Sequence, residues 1–180
     1  MIFISGIHGV GKTYFCSILK EEFGFKAFSS SQLISQQKGK DFSNDKLTSD
    51  IEDNQYYLCK AVDELKESIN MFLLDGHFCL LNETGVITRI SKNTFERISP
   101  SLLILLTEKP EIIANRRFRR DGIKICLKEI DTFQTEERKY AQEISDYLNI
   151  PLAISHGSDD YNKILEIIRK GLGWNGRKVH

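Results

Sequence analysis

The chain has 180 residues, 41% of them hydrophobic and 28% charged, with 25 basic and 25 acidic side chains and a formal net charge of zero. That length suits one ordinary domain with a substantial core, and the composition excludes disordered and fibrous classes. Zero net charge argues against a general nucleic-acid binder, and no apolar stretch approaches the roughly 20 residues that cross a bilayer. In chain order, strands and helices alternate. Met1–Ser5 is an apolar strand, followed by the glycine-rich turn Gly6–Gly11 and a helix over Lys12–Phe23 that ends at Gly24. Lys26–Phe28 is a short second strand, after which Ser29, Ser30 and Ser31 offer N-caps to a helix over Gln32–Gln37. Gly39–Asn44 reads as a polar loop and Thr48–Ser68 as a long helix with Ile51, Tyr57 or Leu58, Ala61, Val62 and Leu65 on its apolar side. Met71–Leu74, closed by Asp75 and Gly76, has the continuous apolar character of a strand buried on both faces.

Asn82–Pro100 is less regular and predicts a loop with a short helix around Lys92–Arg97. Ser101–Leu106 is another fully apolar strand, and Pro110 opens a helix through Arg119. Ile130, Phe133, Glu137, Ala141, Ile144 and Leu148 trace one face of a further long helix. Pro151–Ile154 is the last strand and Asp159–Gly171 the last helix, with Asn175–His180 expected to fray. Such alternation predicts an α/β fold with a parallel sheet covered on both sides. Ligands in these sheets sit beyond the carboxyl ends of the strands. The turn at Gly6, Asp75–His77, Thr107 and Ser155–Gly157 all follow strands and therefore share that edge. No linker, repeat or low-complexity tract divides the chain, so residues 1–180 read as a single domain. Cys16, Cys59, Cys79 and Cys126 have no metal-ligand spacing and read as buried, reduced thiols. With a strand at residue 1 where a signal peptide would stand, the expected location is cytoplasmic.

Gly6, Gly11, Lys12 and Thr13 match G-x-x-x-x-G-K-[ST] between a buried strand and a helix, the setting that a Walker A phosphate-binding loop requires. Glycines let the backbone curl so that successive N–H groups, from Gly9 and Val10 through Gly11 to Tyr14, point at phosphate oxygens. Lys12 adds a charge that reaches the outer phosphates, and the Thr13 hydroxyl is suited to Mg²⁺. The N-terminus of the following helix favours the same anion. The loop therefore predicts binding of a nucleoside triphosphate.

Asp75, at the end of an apolar strand, is Walker B-like: beside the loop it would hold Mg²⁺ or its water, or accept a bond from Thr13. The alternative is an Asp that caps the turn before Gly76. His77 reads equally as a substrate contact or a loop hydrogen-bonder. The charge distribution is uneven, with seven basic and three acidic residues from Glu108 to Lys128, and eight acidic and three basic from Asp41 to Glu67. Within the basic segment stand Arg116, Arg117, Arg119 and Arg120, followed by Gly122. Arg116 and Arg120, four apart, share a helix face, and cations are what a moving phosphoryl group needs. A solvated helix C-terminus would also favour them. Arg138 by itself reads as a surface residue paired with Gln134 or a glutamate.

The order of these elements resembles the nucleoside monophosphate kinases, with adenylate kinase, including its compact archaeal form, as the most similar type, over nearly the whole chain. The resemblance implies a P-loop NTPase three-layer sandwich with a five-stranded parallel sheet. It further implies a small lid at about 116–128, an acceptor-side helical region at about 29–68, and MgATP as phosphoryl donor to a nucleoside monophosphate. It also implies that Arg116, Arg120 and Arg138 surround the transferring phosphoryl and that Ser155–Ser158 lie near the ATP base. Two features depart from the pattern. Gly76 is followed by His77, Phe78 and Cys79 instead of Phe-Pro-Arg, and Ser31–Ser35 stands in place of Gly-Asp-x-x-Arg. Both arginines of the acceptor phosphate are thereby missing, with Arg89, Lys38 or Lys40 as substitutes. The alternatives are a kinase with a non-nucleotide acceptor and a regulatory ATPase acting through a protein partner.

Overall fold

The computed structural model describes residues 1–40, 51–82, 84–122 and 124–171. Five strands form one parallel sheet: β1 (Ile2–Ser5), β2 (Lys26–Ser29), β3 (Phe72–Asp75), β6 (Leu102–Thr107) and β7 (Leu152–His156), in the order β2-β3-β1-β6-β7. Helices α1 (Lys12–Phe23), α2 (Ser30–Lys40), α3 (Ile51–Ser68), α4 (Lys92–Ile98), α5 (Pro110–Asp121), α6 (Leu127–Leu148) and α7 (Tyr161–Gly171) surround it. Alternation along the strands splits the core in two. Ile2, Ile4, Leu73, Ile104 and Leu106 pack on one face with Phe15 and Leu19 of α1 and Ile164 and Ile168 of α7. Phe3, Phe72, Leu74, Leu103 and Leu105 pack on the other with Leu58 and Val62 of α3 and Ala141 and Ile144 of α6. This is the period of two that a pleated strand imposes, applied to strands buried on both sides.

The register places the site. Ile4 pairs with Asp75 and Ser29 also pairs with Asp75, so the ends of β1, β2 and β3 stand side by side at the carboxyl edge. Gly76 N–H then donates to Ile4 O at 3.0 Å, which holds the chain after β3 against the start of the glycine-rich turn.

Four local expectations change. The stretch after Phe78 is not loop alone: β4 (Cys79–Leu81) and β5 (Ile87–Arg89) form an antiparallel hairpin before α4. Asn82 closes its turn, its Oδ1 accepting from the N–H groups of Thr84 at 3.1 Å and Val86 at 2.8 Å. Helix α2 starts at Ser30 and runs to Lys40, beyond Gln37, into what read as polar loop. A 3₁₀ turn over Ser158–Asp160 precedes α7. Cys126 is exposed, unlike the buried Cys16, Cys59 and Cys79, because it is the residue that leads into α6. Thr48–Asp50, the expected start of the long helix, the loop residues 41–44 and the frayed end 175–180 lie outside the described residues. Among the described residues no helix is long and apolar enough to cross a membrane.

Candidate active site

The turn between β1 and α1 is held open by backbone conformation. Gly6, Gly9 and Gly11 have φ of 143°, 89° and 113°, in the region that L side chains rarely adopt. A Cβ on Gly6 would also stand 2.5 Å from Leu106 O. Gly11 is the N-cap of α1 and has no side chain to satisfy the first turn, which carries no acidic residue. That arrangement leaves the helix terminus suited to an anion.

Lys12 is buried at the mouth of the turn, where its Nζ donates to Gly6 O at 2.5 Å and lies 3.8 Å from Asp75 Oδ1. Burial lowers the Lys12 pKa, and Asp75 and Glu137 offset part of that. Burial likewise raises the Asp75 pKa against the opposing pull of Lys12 and then His77. Each group thus lacks solvation, and a phosphate–cation pair entering between them would relieve both. Thr13 and Asp75 line the same cavity. A hydroxyl and a carboxylate are hard oxygen donors of the kind Mg²⁺ takes, and among the described residues no group of three acidic, His or Cys side chains could form a closed metal cage. The donor set therefore fits a cation that keeps waters and shares phosphate oxygens.

Helix α5 supplies the arginines, in two different states. Arg116 braces the loop: its Nη1 donates to Val10 O at 2.9 Å and Gly9 O at 3.4 Å, and its Nη2 lies 3.4 Å from Glu108 Oε2. Arg120 is exposed and held by Asp121 through two bonds of 2.7 Å. Both line the cavity. Arg117 lays its aliphatic stem on the turn, its Cγ 2.8 Å from where a Cβ of Gly9 would be. Arg138 is exposed on α6 and does not line the cavity, so the structure does not bring it to the loop.

Glu137, the neighbour of Arg138, points inward instead. Its carboxylate is 1% exposed and accepts from Ser5 Oγ at 2.7 Å and from the N–H groups of Phe78 and Cys79, each at 3.1 Å. It stands 3.7 Å from His77 Nδ1, and the His77 ring lies 4.7 Å from that of His8. Partial desolvation, then the charges of His77, Lys12, Arg117 and Arg120, push the His8 pKa down to about 4 although its side chain is exposed. Glu137 thus ties α6, the end of β1 and the segment after β3 into one unit. In the sequence it sits on an apolar stripe, and a carboxylate at such a position was the one signal for it.

The cavity has a volume of about 580 Å³. From the loop it passes Asp75 and His77 into a recess between α2, α3 and α4, walled by Ile34, Leu58, Phe95 and Ile98 and carrying Ser30 and Gln55. Of the expected substitutes for the acceptor arginines, Arg89 is engaged by Glu136 at 2.6 Å and Glu143 at 2.9 Å, with its guanidinium over the Tyr140 ring. Lys38 pairs with Asp53 at 3.0 Å. The side chain of Lys40 lies outside the described part of the structure. The first residue of α7 reaches the other side of the turn, where Tyr161 Oη would be 3.2 Å from a Cβ of Gly11.

Sheet order, glycine-rich turn, buried lysine and strand-ending aspartate together define a kinase-like P-loop protein. A family model described as an AAA domain matches residues 5–133, and the chain belongs to that family. It is 30% identical over 122 residues to a protein of Methanocaldococcus jannaschii named "Putative adenylate kinase", a match covering 66% of this chain and 58% of that relative. Among solved structures, YorR protein from Bacillus subtilis in complex with phosphorylated GDP superposes with a TM-score of 0.60 at 15% identity, covering 99% of each chain. A gluconokinase from Sinorhizobium meliloti superposes with a TM-score of 0.55 at 15% identity, covering 97% of this chain and 92% of its own. At such identities the likeness is one of fold.

Proposed function

We propose that this protein is an Mg²⁺- and ATP-dependent phosphotransferase that passes the γ-phosphoryl group to a small acceptor, a nucleoside monophosphate in the leading reading. One observation carries it: a single cavity joins Lys12 and Thr13 of the loop, through Asp75, to the recess between α2, α3 and α4. Donor phosphates and an acceptor would thus meet at Asp75. Lys12 and the amides from Gly9 to Tyr14 bind the β- and γ-phosphates, and Thr13 and Asp75 hold Mg²⁺, which would neutralise charge on those oxygens. Arg116 fixes the loop carbonyls so that its N–H groups keep their aim, and Arg120 exchanges Asp121 for the transferring phosphoryl as the lid closes. Transfer breaks the β,γ-bridging P–O bond, forms one to the acceptor oxygen, and releases ADP. Catalysis of this kind rests on positioning and charge.

The relative from M. jannaschii supports a monophosphate acceptor by its name. A second reading, an acceptor without a phosphate, is favoured by Arg89, which is already paired to two carboxylates. A coupled ADP assay with ATP and a panel of nucleosides, monophosphates and sugar acids tests both. Transfer to none of them, with Lys12→Ala indistinguishable from the parent, would sink the proposal.

A further inference from the structure

Two buried oxygens of the recess have no hydrogen-bond partner among the described residues, Gln55 Oε1 and Ser30 Oγ. Gln55 is 7% exposed, on the face of α3 that lines the cavity. Buried polar atoms are nearly always paired, so an orphan that also lines a cavity calls for a partner to enter that cavity.

The surroundings say what kind of ligand. Ile34, Leu58, Phe95 and Ile98 make the walls apolar. Phe95 is fixed by Phe3 at 5.5 Å edge-on and Phe78 at 5.2 Å stacked, so its ring is a rigid surface. A polyol would strip several hydroxyls of water against such walls, and a sugar acid would bring a carboxylate. The lysine and arginines lining the cavity among the described residues, Lys12, Arg116 and Arg120, stand at the loop end, away from Gln55. A flat heterocycle suits the walls, and a carboxamide pairs with an amino group and the adjacent ring nitrogen through two hydrogen bonds. Ser30 Oγ lies at the other end of the recess, 2.9 Å from where a Cβ of Gly76 would be, next to Asp75.

We infer that Gln55 determines acceptor specificity: the recess takes an amino-bearing heterocyclic ring, its amino group donating to Gln55 Oε1 and its hydroxyl- or phosphate-bearing arm running past Ser30 to Asp75. The inference rests on the phosphotransferase reading for what happens next, but ring binding does not.

Calorimetry with the full chain tests it. Adenosine, cytidine, guanosine and their monophosphates are each compared with the analogue that lacks the amino group, with gluconate and shikimate as controls that carry no heterocycle. Expected is at least one pair in which loss of the amino group weakens binding about tenfold, the effect of one well-made hydrogen bond. Gln55→Leu should bring that ratio to about one while leaving Tm unchanged or raised, since it removes an orphaned oxygen. Gln55→Met serves if Gln55→Leu does not fold. In turnover the loss should appear in KM with kcat kept. The inference is overturned by binding of gluconate or shikimate without binding of any heterocycle, by an unchanged ratio in the variants, or by no binding at all. The nucleoside and monophosphate arms tell which form of the ring is taken. Ring binding without phosphoryl transfer would refute the proposed reaction and leave the inference standing; transfer indifferent to the amino group would do the reverse.

Discussion

Replacing Glu137 with alanine should destabilise the protein more than any other single truncation near the site. The carboxylate is 1% exposed and answers three donors, Ser5 Oγ and the N–H groups of Phe78 and Cys79. Ser5 can turn its hydroxyl elsewhere, but the two N–H groups are fixed in the backbone. Each buried donor left unpaired costs about 1–3 kcal/mol, so two give about 2–6 kcal/mol. Against a total stability of about 5–15 kcal/mol that is a large share. For a chain of this size it corresponds to a fall in Tm of roughly 5–20 °C. Glu137→Gln keeps one oxygen for the N–H groups and turns its NH₂ toward a hydroxyl that also accepts, so it should lose only about 1 kcal/mol. Urea denaturation followed by tryptophan-independent circular dichroism measures both. A loss for Glu137→Ala within about 1 kcal/mol of the parent would refute the reasoning, because it would mean that the donors are not desolvated as the geometry requires.

Three further outcomes follow from the same coordinates. Gly6→Ala forces a Cβ to within 2.5 Å of Leu106 O at a φ of 143°, and should cost more than about 3 kcal/mol and lower soluble yield, whereas Gly24→Ala, with open space around it, should cost only its backbone strain of about 1 kcal/mol. In the fold the His8 pKa is pushed down from 6.5 to about 4 although the ring keeps contact with solvent, so the unfolded state binds the extra proton between these values; stability should fall modestly as pH drops from 6.5 to 4, and His8→Gln should flatten that slope in pH-dependent melts. Lys12→Met should remove ATP binding and lower Tm of the nucleotide-free protein, since it leaves Asp75 without its neighbouring cation and Gly6 O without its donor; an unchanged or higher Tm would mean that desolvation of the buried ammonium outweighs both contacts.

The glycine-rich turn of the candidate site was legible because its conformation is specified locally. Gly6, Gly11, Lys12 and Thr13 are contiguous, and an apolar strand before them fixes their setting. The parallel sheet was equally legible from Phe72–Leu74 and Leu102–Leu106, whose unbroken apolar character leaves no solvent face. What the sequence concealed depends on tertiary contact. The hairpin β4–β5 has strands of three residues, too short for a period to show, and its turn is organised by Asn82 through bonds that span four residues. Glu137 looks like a member of an apolar stripe until Ser5, more than a hundred residues away, is seen to donate to it. Arg116 and Arg120 are alike in sequence, yet one braces the loop and the other is held by Asp121, a difference set by how α5 meets Gly9 and Val10. Gln55 carried no signal, because its meaning lies in having no partner.

The central claim is that the phosphoryl group of ATP moves to an acceptor held in the recess beyond Asp75. Incubation with γ-labelled ATP and the acceptor panel, followed by separation of products, measures this directly. The account predicts label in a new phosphate ester or anhydride, ADP in equal amount, and loss of both with Lys12→Ala. Label found only in inorganic phosphate, or released at the same rate by Lys12→Ala, would contradict it.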